Sequence, residues 1–185
     1  MARISTHGAL TPDATALLHY RPAQAEAGFN FSSVVYQNTS LPFRLVEAAR
    51  HRTAQINGCQ TCQTWRAGRD LAPVLLAKGG NPQTSFIGRG EPEPDDSFYA
   101  EIDTWRTSKM FSPRERLAIE YAERMGTDPR SFEGDDPFWE QMHVHFTDEE
   151  IVDLTLSVAS WIAMGRVLHV LEIDPQVCAV PALQV

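Results

Sequence analysis

Two cysteines three positions apart, Cys59 and Cys62, close the stretch VEAARHRTAQINGCQTC. On a helix, positions i and i+3 share a face, so the two sulfurs can approach and form a disulfide. Gly58 lets the chain turn sharply just before them. A helix opening there aims unpaired backbone N–H groups at the first sulfur. That positive end favours thiolate over thiol, and the thiolate is the nucleophile of thiol redox chemistry. Arg66 follows Cys62 by four residues, and on a helix running from about Cys59 to Arg69 it adds positive charge on the same face. Glu47 stands twelve residues before Cys59, with His51 one turn after it. If their helix folds back at Gly58, Glu47 can accept or relay a proton and His51 can act as a near-neutral base.

Other readings of the pair stand beside this one. Cysteines are often small, inert core residues. A zinc site needs two more ligands; only His143 and His145 offer themselves, at a spacing that matches no standard finger. A thioredoxin-like site places its pair after a strand in a βαβ pattern, and none is visible. No metal or other cofactor is expected. Cys178, in a tail between Pro175 and Pro181, reads as structural.

The elements that position these residues read as helices. Thr11-Pro12 opens a short one to about Tyr20, and residues 21–33 read as a loop or arm, with Ser33 to Tyr36 the only strand-like run. Ser40, with Pro42 behind it, is expected to cap a helix to about Ile56, which Asn57-Gly58 stops. Residues 79–96, rich in Gly and Pro, form a loop and the best place for a hinge or lid. Helix resumes near 97–107. Ser112-Pro113-Arg114-Glu115 and Thr147-Asp148-Glu149-Glu150 are capping boxes, the second with Phe146 and Ile151 at the staple positions. A short helix is expected at 137–145. The helix opened at Thr147 runs to about Glu172 and is apolar nearly all round, which suits a core or a subunit interface. The fold class is all-α, a single domain over 1–185 with seven or eight helices.

A formal charge of −8 without a Lys/Arg cluster argues against a nucleic-acid partner. No membrane span and no secretion signal are read, so the chain is expected to be cytoplasmic. Three cysteines do not make a disulfide framework. The apolar last helix and the arm residues Phe29, Phe31, Val34, Val35 and Tyr36 call for a partner surface, so a homo-oligomer is expected.

The stretch from Glu47 through Cys62 resembles the carboxymuconolactone decarboxylase-like superfamily, in its alkylhydroperoxidase D-like branch: an acid, eleven residues, then Cys-x-x-C after a helix ending AQING. FSPRERLAIEYAERM (Phe111 to Met125) and HFTDEEIVDLTLSVASWIAMGRV (His145 to Val167) resemble the helices that follow, so the likeness spans roughly Leu41 to Val170. The resemblance implies an all-helical fold assembled as dimers, trimers or hexamers, and a dithiol that reduces peroxides. Cys62 matches the thiol that attacks peroxide, Cys59 the resolving thiol and Glu47 the relay acid. An external dithiol would serve as reductant. The departures fall on the proton chain. Arg66 stands at the motif His, Thr61 at a second His between the cysteines, and Gly165-Arg166 at an Asn-Arg pair of the last helix. Arginine stabilises a thiolate but does not exchange protons near pH 7. His51, or else His169, would have to take over that work. Two alternatives follow: a non-catalytic or redox-sensing small-molecule-binding oligomer, and a decarboxylase-type enzyme, which does not need the cysteines.

Overall fold

Helix α3, Phe43–Asn57, carries Glu47 and His51 and runs through the middle of the fold against α7, Pro113–Thr127, and α9, Asp148–Val170. The computed structural model describes residues 2–5 and 14–173, so Thr11-Pro12 and Cys178 lie outside the described residues. α3 is not an ordinary apolar core helix. Leu45, Val46, Ala48 and Ala49 are buried, but so are Glu47, Arg50, His51, Thr53 and Asn57. Buried polar groups are costly unless paired, so the helix at the centre is also where the chemistry is concentrated.

Both ends of α3 are held. Pro42, not Ser40, occupies its N-cap position and offers no side-chain cap. The orphan N–H of Phe43 is met instead by the Glu91 carboxylate at 2.7 Å. Ser40 turns the other way, its N–H and hydroxyl both bonding Asp153 of α9. At the C-terminus Gly58 adopts φ 68°, and the Gly58 and Cys59 N–H groups close onto Gln55 and Ala54 in a Schellman pattern. A side chain at Gly58 would also collide with the His169 ring.

Residues 21–33 are not a loop, and Ser33–Tyr36 is not a strand. Pro22–Asn38 forms one helix, α2, which lies on α9 behind the short α1, Ala16–Tyr20. Gly28 allows the close approach, because a Cβ there would meet the Met164 sulfur. The expected helix after Gly58 breaks into two, α4 (Gln60–Thr64) and α5 (Ala67–Ala77). With α6 (Asp96–Ala100) and α8 (Asp136–His145), nine α-helices and no strand are present among the described residues.

The loop of residues 79–95 is tied to the core. Phe86 is fully buried in the core beside Phe43, and Glu91 caps α3, so the loop is fastened at both places. Both capping boxes form as read, at Ser112 and Thr147. α9 is, against expectation, long and apolar enough to cross a membrane by length and composition. Here it packs on α2, α3 and α7 through Leu154, Val158 and Trp161, and leaves Val152, Leu156, Val167 and Val170 exposed.

Candidate active site

α4 is barely more than one turn, and its first residues hold the sulfurs. Cys59 is the N-cap, and its sulfur accepts the Cys62 N–H at 3.2 Å. The two cysteines form a disulfide with Cα atoms 5.3 Å apart. Cys59 is fully buried, whereas Cys62 is half-buried and lines a pocket. The pair is therefore asymmetric: one sulfur is sealed and one faces the space where a small molecule fits.

Arg66 does not sit on the Cys62 face. The helix ends at Trp65, both Trp65 and Arg66 are extended, and the Asp70 carboxylate takes the Arg66 N–H to start α5. The Arg66 guanidinium bonds the carbonyls of Gln63 and Trp65 and lies 3.7 Å above the Tyr99 ring.

The cation that braces the cysteine turn is Arg50, one turn after Glu47. Glu47 is fully buried, and its oxygens accept from Arg50 Nε at 2.6 Å and Nη2 at 3.1 Å, from the Tyr99 hydroxyl at 2.5 Å and from the Ala67 N–H at 3.3 Å. Burial works against the Arg50 charge, and Glu47, by field and hydrogen bond, more than offsets it. Arg50 also donates to the Cys62 carbonyl at 2.6 Å and the Trp65 carbonyl at 2.9 Å. Its guanidinium lies 4.9 Å from the Trp65 ring centroid. Glu47 thus reaches the cysteine turn through Arg50, by bracing its backbone.

His51 is not a near-neutral base. It is buried against Tyr99, and its Nδ1 has no hydrogen-bond partner. Burial first, then the charges of Arg50 and Arg66, push its pKa down to about 3. An unfolded chain keeps the ordinary value near 6.5. Between those values the unfolded chain binds the extra proton, so stability is complete above about pH 6.5 and falls as pH drops toward 3. His51→Gln should flatten that acid limb, sparing a loss on the order of 3 kcal/mol across the window, read from urea titrations at pH 7 and pH 4. An unchanged pH dependence would contradict this placement of His51.

The pocket beside Cys62 has a volume of about 310 Å³ and lies between α2, α3, α4, α5 and α9. Phe29, Trp65, Val74, Met164 and Leu168 make it largely apolar; Tyr36, Arg50, Asn57, Thr61 and Ser160 supply polar atoms. Tyr36 packs on Trp65 and Trp161. Burial most of all, with Glu47 adding, raises the Tyr36 pKa well above that of a free phenol, against the opposing pull of Arg50 and the Trp161 side chain. Gly165 is explained by its neighbour: a Cβ there would stand 2.5 Å from the Asn57 amide nitrogen. That amide bonds the Trp161 carbonyl and accepts from Arg166, so α3 supplies an amide where the resembled family carries Asn on the last helix.

Comparison with solved structures now decides the fold. ATU0492 of Agrobacterium tumefaciens, a protein of unknown function and candidate antioxidant defence protein AhpD, superposes with a TM-score of 0.67 at 19% identity, over 96% of this chain and 99% of that one. The AhpD core of a peroxidase-related protein from Ralstonia eutropha JMP134 gives 0.58 at 18%, over 87% and 75%. The debrominase Bmp8 gives 0.60 at 16%, over 91% and 78%. The fold is AhpD-like. No family model matches the chain. Among curated proteins the uncharacterized protein YnjA of Escherichia coli K12 is 32% identical over 87 residues, so the match spans 46% of this chain and 46% of that relative.

Within this AhpD-like fold the structure brings Cys59, Cys62, Thr61 and, through Arg50, Glu47 into one site. It sets Arg66 and His51 on the Tyr99 side. No group of three or more His, Cys, Asp or Glu side chains able to hold a metal, around His143 and His145 or elsewhere, is present among the described residues. Arg50 and Trp161 escaped the sequence reading, and Tyr36, read there as an arm residue facing a partner surface, lines the pocket instead. Arg50 carried a signal, the Glu47-x-x-Arg50 spacing that places acid and base on one helical face.

Proposed function

We propose that this chain is a thiol-dependent peroxidase that reduces organic hydroperoxides through a Cys59–Cys62 dithiol/disulfide cycle. The observation that carries the reading is the asymmetric disulfide, with Cys62 lining an apolar pocket and Cys59 sealed behind it. The Cys62 thiolate attacks the terminal oxygen of R–O–O–H; an S–O bond forms, the O–O bond breaks, and the alkoxide leaves and takes up a proton. The Cys59 thiol then displaces water from the Cys62 sulfenic acid and closes the disulfide, so two thiols supply the two electrons. An external dithiol attacks the accessible Cys62 sulfur and releases Cys59 as a thiolate facing the Cys62 N–H. The second thiol of the reductant then frees Cys62.

Arg50 supports the thiolate electrostatically, and Glu47 keeps Arg50 in place. With Glu47 holding Arg50 and Tyr99, its part is positioning more than proton exchange. The exposed apolar sides of α9 and α2, Val152, Leu156 and Val167 with Phe31 and Val34, support assembly as a homo-oligomer. Purified protein with cumene hydroperoxide and a dithiol reductant should consume peroxide catalytically. Consumption no faster than in a buffer control would reject the reading.

A further inference from the structure

The pocket is lined by two side chains, Trp161 and Tyr36, whose hydrogens reach no protein acceptor at hydrogen-bond geometry among the described residues. Trp161 is buried, and its Nε1–H finds no acceptor at hydrogen-bond geometry, although the Tyr36 side chain lies against it with ring centroids 6.2 Å apart. The Tyr36 hydroxyl donates to no protein acceptor among the described residues, and it lines the same pocket as Cys62. A buried donor left without an acceptor costs about 1–3 kcal/mol, so Trp161 Nε1–H gains from any negative charge that forms on the Tyr36 oxygen beside it, and the Tyr36 hydroxyl is left to a ligand that brings its own acceptor.

We propose that Tyr36 is the general acid of this site: its hydroxyl proton passes to the alkoxide oxygen as Cys62 cleaves the O–O bond, and Trp161 Nε1–H steadies the phenolate left behind. The proposal rests on the peroxidase reading above. The chemistry requires such a group, because the leaving alkoxide is strongly basic and must gain a proton as it departs. His51, held neutral behind Tyr99, and Arg66 do not supply it. Tyr36 carries its proton at neutral pH as any phenol does, and burial, which disfavours the phenolate, makes it a weaker acid still. The Arg50 guanidinium opposes that effect, so the negative charge that appears on Tyr36 during the step has a cation to face. In balance, the thiolate becomes a sulfenic acid, the peroxide becomes an alcohol, and the Tyr36 phenolate regains its proton from water. The apolar lining adds a specificity: the R group is bulky and hydrocarbon-like, and hydrogen peroxide leaves most of the pocket unfilled.

The test compares two oxidants on the reduced protein in single turnovers. Cumene hydroperoxide leaves as an alkoxide and needs the proton; a peroxybenzoic acid leaves as a carboxylate and does not. Tyr36→Phe keeps the ring and its packing. It should lower the ratio of the cumene hydroperoxide rate to the peroxy-acid rate by about 100-fold. Trp161→Phe should lower the same ratio by roughly tenfold, and serves alone if Tyr36→Phe does not fold. A ratio within about threefold of wild type in the folded variants would overturn the role of Tyr36, because a merely structural loss slows both reactions alike. Failure of the wild-type protein to react with either oxidant would instead remove the peroxidase reading, and this inference with it.

Discussion

Cys62→Ser should abolish peroxide consumption, down to the rate seen without protein, whereas Cys59→Ser should still react once. The difference follows from where the sulfurs lie. Only Cys62 borders the pocket, so only its thiolate can reach a peroxide oxygen. Cys59 is fully buried and serves by closing the disulfide. In Cys59→Ser the oxidised sulfur has no neighbour to condense with, so a sulfenic acid accumulates at Cys62 and is captured by dimedone as a mass-spectrometric adduct. The opposite pattern, with an adduct on Cys59 in the Cys62→Ser protein, would reverse the roles of the two thiols. Serine is the suitable replacement, since it preserves size while its hydroxyl is no nucleophile at this pH.

Arg50→Met should be the most damaging change outside the cysteines, costing about 3–5 kcal/mol. The methionine fills much of the space but leaves Glu47 fully buried with only the Tyr99 hydroxyl and the Ala67 N–H to answer its charge. It also frees the carbonyls of Cys62 and Trp65, which hold α4 in place. Such a loss is a large fraction of a typical domain's stability, so it shows directly as a lower urea midpoint. Glu47→Gln with Arg50→Met removes the stranded charge and should lose clearly less than the sum of the two single changes. Additive losses would mean that the pair is not coupled as its geometry indicates. In Arg50→Met the Cys62 thiol should also alkylate with iodoacetamide only at higher pH, having lost the cation that bonds its own carbonyl.

What was legible in the sequence was what local chemistry determines. The capping boxes at Ser112 and Thr147, the Gly58 stop and the cysteines at the start of a short helix all depend on residues within a few positions of one another. α2 was missed because its own sequence argues weakly for helix, with Gly28 and the β-branched Val34 and Val35 inside it. Packing against α9 overrides that weakness, and Gly28 is there for the contact with Met164. The break between α4 and α5 had a signal in Asp70, whose carboxylate reaches back to the Arg66 N–H. Without the break, Arg66 would have shared the Cys62 face. The fate of His51 was not legible. Its pKa depends on Tyr99, which lies far along the chain, and on two arginines whose directions only the fold sets. Glu47 was legible as important but not in its manner of acting, because Tyr99 and the α5 amide that hold it come from elsewhere in the chain.

The most direct measurement is a thiol count on the reduced protein after addition of one equivalent of cumene hydroperoxide. The chain has three cysteines. The expected result is the loss of two thiols and the appearance of one equivalent of cumyl alcohol, with the new disulfide mapped by peptide mass spectrometry to Cys59 and Cys62. All three thiols surviving with the peroxide intact, or a disulfide that includes Cys178, would contradict a peroxide-reducing pair at this pocket.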